Sequence, residues 1–127
     1  MNTWRFVLAV LAFANASLVA SVARAGQPTM MRADPAPNSV VTVSPMQIRV
    51  WFSDELDPLC RVLVVRDSHG REVDSQDTST DPDDSKELIV TIPDRIYNGH
   101  YSVSWEVTTG DGRQNHGSFG FTVDIKD

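Results

Sequence analysis

The chain has 127 residues, with 17 acidic side chains against 11 basic ones and a formal charge of −6. Such a surface repels phosphate backbones, which argues against nucleic acid as a partner. Cys60 is the only cysteine, so an internal disulfide is excluded and stability must come from burial.

Residues 1–25 read as a cleavable export signal. Arg5 is the only charge before an apolar run from Phe6 to Ala20, interrupted at Asn15 and Ser17. Ala23-Arg24-Ala25 then has the small-x-small form of a signal peptidase site. The run is short for a spanning helix, which needs about 20 apolar residues. Cleavage after Ala25 leaves residues 26–127, enough for one core. Arg5 and Arg24 leave with the segment, so nine basic residues face 17 acidic ones, a charge of −8. One folded domain outside the cytoplasmic membrane is the expectation.

The remaining chain reads as short strands. Met30 to Asp34 forms the first. Pro35-Ala36-Pro37-Asn38-Ser39 is turn chemistry, because proline presets φ and Asn and Ser bond back to local backbone. From Gln47 to Phe52 the pattern alternates, with Ile48, Val50 and Phe52 on one face and Gln47, Arg49 and Trp51 on the other. Arg61 to Asp67 is apolar on both faces, which predicts a central strand. Ser68-His69-Gly70 turns. Asp74 to Lys86 is polar and acidic and is expected to be a long mobile loop. Leu88, Val90 and Ile92 point inward on the next strand, and Asn98-Gly99 is a turn pair. Tyr101, Val103, Trp105 and Val107 then face the core, against His100, Ser102, Ser104 and Glu106 outside. After Gly110-Asp111-Gly112, the last strand turns Phe119, Phe121 and Val123 inward.

No segment sustains an apolar period of about 3.6 residues. About seven strands at this spacing predict an all-β fold: a single antiparallel β-sandwich of immunoglobulin-like, Greek-key architecture. Trp105 is its expected central residue. No nucleophile elbow, paired-carboxylate motif or glycine-rich phosphate loop is present, so the expectation is binding rather than catalysis.

Four blocks together resemble one family. They are Arg32-Ala33-Asp34-Pro35-Ala36-Pro37-Asn38-Ser39, Gln47-Ile48-Arg49-Val50-Trp51-Phe52-Ser53-Asp54-Glu55-Leu56, Asn98-Gly99-His100-Tyr101-Ser102-Val103-Ser104-Trp105, and Asp111-Gly112 with Gly117-Ser118-Phe119-Gly120-Phe121-Thr122-Val123. In this order and spacing the chain resembles the CopC-type periplasmic copper-binding, copper-resistance proteins. The resemblance implies a cupredoxin-like or immunoglobulin-like sandwich, copper as the bound ion, and handover of that ion by ligand exchange. It also implies, as an alternative, a metal-free interaction module that contacts an inner-membrane copper-transport protein. The molecule is expected to be a monomer.

The resemblance places the family's Cu(II) ligands at a histidine near the mature N-terminus and an Asp-x-His in the last hairpin. Here the first position falls on Gln27, and in the hairpin Asp111 is kept while Arg113 replaces the histidine. A guanidinium stays protonated and offers no lone pair. His116, five residues after Asp111, is the candidate replacement ligand; the alternative is a solvated turn histidine. His69 and His100 are expected at the surface, and the three histidines lack zinc-site spacing. A Gly-Gln-Pro start lacks the third-position histidine of the amino-terminal copper chelate. Some relatives also carry a methionine-rich Cu(I) site, but Met30, Met31 and Met46 form no such cluster, and Met30 is expected in the core. Cys60 is expected to be buried and inert. Trp51 is a possible partner contact, unless the acidic loop folds over it.

Overall fold

In the computed structural model, residues 29–126 are described; the signal segment, Gly26 and Gln27 lie outside them. Eight strands follow in chain order: β1 (Met30–Asp34), β2 (Val40–Val41), β3 (Gln47–Phe52), β4 (Leu56–Arg66), β5 (Ser79–Asp81), β6 (Asp84–Thr91), β7 (Gly99–Thr109) and β8 (Gln114–Val123). They form two four-stranded sheets, ordered β1-β3-β6-β5 and β2-β8-β7-β4. Every pairing is antiparallel except β2 with β8, where Val40 lies opposite Thr122. The fold is the Greek-key β-sandwich expected from the alternation.

The core fills the space between the sheets. Ile48, Val50 and Phe52 from β3, and Leu88 and Val90 from β6, meet Tyr101, Val103, Trp105 and Val107 from β7 and Phe121 and Val123 from β8. These are the positions that the period-2 pattern sends inward. Trp105 is the aromatic hub. Its ring meets Phe52 edge-on at 5.8 Å and Phe119 at 6.2 Å, and its Nε1 donates to Asn115 Oδ1 at 3.0 Å. Met30 packs against this core, as expected.

Two sequence expectations give way here. The first is that β4 is central; it pairs only with β7 and forms the sheet edge. Leu63 and Val65 point into the core, while Val62 is exposed on the outer face. Its free edge is satisfied by the following segment. The Leu63 N–H donates to Thr78 Oγ1 at 3.1 Å, and that hydroxyl donates to the Leu63 carbonyl at 3.2 Å. The Val65 N–H donates to Asp74 Oδ2 at 2.8 Å, and Val73 N–H donates to the Val65 carbonyl at 2.8 Å. An edge covered in this way cannot template another strand.

The second is that Asp74 to Lys86 is a mobile loop. It contains β5 and the start of β6. Its aspartates act locally: Asp74 Oδ1 accepts from Gln76 N–H, Asp81 Oδ1 from Asp83 N–H, and Asp84 Oδ1 from Lys86 N–H, all within 3.0 Å. Short acidic side chains favour such turns, so the acidity of this stretch reflects turn-making. The Pro35 to Ser39 turn forms as expected, with Ser39 N–H donating to the Ala36 carbonyl and Asn38 in the left-handed region at φ 61°.

Candidate metal site

Three segments meet at one end of the sandwich. Antiparallel pairing sets Met30, at the start of β1, opposite Phe52, at the end of β3. Leu56, at the start of β4, lies opposite Thr109, at the end of β7. Thr29 with the start of β1, the β3–β4 loop (residues 53–55) and the β7–β8 turn (residues 110–113) therefore share this end. Hydrogen bonds fasten the first two together: Thr29 N–H donates to Ser53 Oγ, and Ser53 N–H donates to the Thr29 carbonyl, both at 2.9 Å.

The turn is built around Thr109, which is buried. Its N–H donates to the Arg113 carbonyl at 2.8 Å, and its carbonyl accepts from Gly112 N–H at 3.0 Å. Arg113 N–H donates to Thr109 Oγ1 at 3.0 Å, and that hydroxyl makes a short hydrogen bond to Asp111 Oδ1. Gly112, at φ +90°, takes the left-handed position the turn needs. Arg113 Nε donates to Asp111 Oδ1 at 3.1 Å, and its Nη2 lies 3.6 Å from Asp54 Oδ1. The Thr109 hydroxyl, followed by the guanidinium, holds the Asp111 carboxyl below the usual carboxylate range. The same hydrogen bond to Asp111 raises Arg113 above its ordinary value.

The CopC domain model matches residues 30–124. The chain belongs to the CopC domain family. Protein YobA of Escherichia coli strain K12 is 28% identical over 89 residues, covering 70% of this chain and 72% of that protein. Among solved structures, CopC from Methylosinus trichosporium OB3b shares 26% identity with a TM-score of 0.73, covering 80% of this chain and 97% of that one. PcoC, a methionine-rich copper resistance protein from Escherichia coli, shares the fold at 22% identity and a TM-score of 0.69, over 78% of this chain and 100% of that one.

Asp111 Oδ1 is engaged by both Thr109 and Arg113. Among the described residues, no three His, Cys, Asp or Glu side chains stand together as a metal site would require. Gln27, which the sequence reading expects at an N-terminal ligand position, lies outside the described residues.

The structure brings Asp111 and Arg113 together and leaves His116 apart from them. His116 sits on strand β8 rather than in a turn, exposed and directly opposite Glu106. It lines a groove of about 380 Å³ on the outer face of its sheet, with Cys60, Val62, Glu106 and Gln114. Cys60 is exposed, not buried. Between Leu56 and Arg61 the register of β4 slips against β7, and this bulge turns Cys60 away from the core, which alternation alone does not anticipate. His69 and His100 are exposed, and His100 Nδ1 lies 3.3 Å from Thr122 Oγ1. Met31 and Met46 are exposed.

Trp51 is half-buried on the outer face of β3. Its cover is the Arg32 guanidinium from β1, 3.8 Å from the ring centroid, where the sequence reading looked to the acidic loop. The strand register sets Arg32 opposite Trp51, so the cation–π contact follows from pairing. Sequence reasoning missed Asp54. The signal was the acidic residue after Phe52-Ser53 in the second family block, but only the fold carries it to Arg113.

Proposed function

We propose that this chain is an exported, periplasmic copper-binding protein of copper homeostasis and resistance. It takes up copper and hands it over by ligand exchange, with no bond chemistry, and acts as a monomer. The observation that carries this reading is the hairpin end of a CopC domain, where Asp111 stands and Thr29, just before β1, is hydrogen-bonded alongside at Ser53. Asp111 supplies one oxygen and the mature terminus an amine, while His116 stands farther along β8, opposite Glu106. Copper(II) favours nitrogen donors in tetragonal geometry. With Gln27 and Arg113 in place of imidazoles, binding is weaker than in a full site.

A competition titration against a chelator of known strength tests this on the processed protein. Arg113→His combined with Gln27→His, in a mature chain beginning at residue 27, should tighten Cu(II) binding. Asp111→Ala should then reduce the gain. Equal affinity in the unmodified and restored proteins would refute the account of lost ligands, and His116→Ala would locate the ligand. No binding by either form would sink the copper reading.

The pairing of Arg113 with both Asp111 and Asp54 favours a second reading. In it the domain is a metal-free interaction module that contacts an inner-membrane copper-transport protein, with Trp51 as a contact residue. Trp51→Ser that abolished such an association while leaving the fold intact would support it.

A further inference from the structure

We propose that Arg113 is the resident cation of the hairpin end: its guanidinium holds Asp54 and Asp111 together and fixes the β7–β8 turn to the β3–β4 loop whether or not a metal ion is bound. This stands on the ion pairs alone and does not depend on the copper reading.

Two carboxylates on separate loops converge on one group, Asp111 at 3.1 Å and Asp54 at 3.6 Å. Like charges brought together need a proton, an ion or a cationic side chain between them. Arginine is always charged and presents several donors in a planar fork, so one guanidinium can serve both.

Both ends of the bridge are held in place. The Arg113 backbone is fixed at both its N–H and its carbonyl by Thr109, so the side chain leaves from a defined point. Asp54 Oδ2 accepts from Ser53 Oγ at 3.0 Å, and Ser53 is itself bonded to Thr29. A backbone hydrogen bond from Gly110 N–H to the Glu55 carbonyl, 3.4 Å, is the other direct link between turn and loop. It is a weak bond, and the Arg113–Asp54 ion pair adds the charged link beside it. The bridge thus runs from the buried Thr109, through Arg113, Asp54 and Ser53, to Thr29. The arginine that removes a metal ligand also supplies the positive charge that an ion would bring.

The guanidinium and Asp54 are about one-third exposed, at 34% and 33%, so each pair is partly screened. Pairs of this kind shift a local opening equilibrium by roughly 1.5- to 5-fold. Hydrogen exchange of the processed protein in the presence of a chelator reads this directly. Arg113→Gln should speed exchange by about that factor at residues 110–113 and also at residues 53–55. Asp54→Asn should do the same, and the double variant should be no faster than either alone. Adding one equivalent of Cu(II) to the unmodified protein should leave protection at both segments unchanged. If Arg113→Gln left residues 53–55 unaffected, or the two changes simply added, the bridge would be an idle surface pair. A large rise in protection on adding Cu(II) would equally overturn the proposal, because the ion would then be ordering this end.

Discussion

Gly117 lies beneath the indole of Trp105, and Gly117→Ala probes how closely the two pack. The two residues are cross-strand partners. A Cβ at Gly117 would stand 2.6 Å from Trp105 Cζ2, 3.0 Å from Cε2 and 3.2 Å from Cη2. Carbon atoms pack favourably at about 3.5–4.0 Å, so the ring would have to withdraw by roughly 1 Å. It has little room to do so: Phe52 and Phe119 flank it, and its Nε1 is tied to Asn115. Overpacking of this kind costs about 1–3 kcal/mol. With a urea m-value of about 1–3 kcal/mol/M, the unfolding midpoint should fall by roughly 1 M. The decisive form is a double-mutant cycle. Trp105→Leu removes the obstructing ring and is itself destabilising, but in that background Gly117→Ala should be neutral or slightly stabilising, since alanine suits a strand better than glycine. The coupling should therefore equal about the whole cost of Gly117→Ala alone. Equal losses in both backgrounds, or no loss in either, would show that the indole does not lie over Gly117.

The covered edge of β4 makes a second prediction. Thr78→Val keeps the shape but leaves the Leu63 N–H and carbonyl without their edge partner, so stability should fall by about 1–3 kcal/mol and self-association should rise. Unchanged melting and unchanged light scattering would refute the capping role. A third prediction concerns acid. Asp67 is held below the ordinary carboxylate range chiefly by the Arg71 N–H, Asp77 by Thr91, and Asp111 by the Thr109 hydroxyl followed by Arg113. Each carboxyl is more acidic folded than unfolded. Its contribution is therefore complete above the unfolded value of about 3.9 and is lost as pH falls through the lower folded value. Melting temperatures from pH 6 down to 2 should be flat and then fall; a rise below pH 4 would contradict these assignments.

Much of the sandwich is legible in the linear chain because strand alternation is a local property. Ile48, Val50, Phe52, Tyr101, Val103, Trp105 and Val107 are assigned inward by a period of two, and all are buried. The positions that the family resemblance singles out are equally local. Gln27 and Arg113 are picked out by their distance from Pro35 and Asp111, and a guanidinium offers no lone pair in any fold.

Strand order and loop convergence belong to the tertiary structure, because they depend on pairings between residues far apart in the chain. Val62 and Val64 make β4 look central, yet it is an edge, with Val62 exposed and its free backbone groups met by Thr78 and Asp74. Cys60 is turned outward by a register slip that no run of residue types announces. The indole over Gly117 depends on which residue of β8 lies opposite Trp105. Asp54 and Arg113 are 59 residues apart in sequence and meet only because β3 and β7 end at the same pole of the sandwich. That a guanidinium stands at position 113 is written in the chain itself, whereas the ion pair it makes with Asp54 required the two sheets to pack.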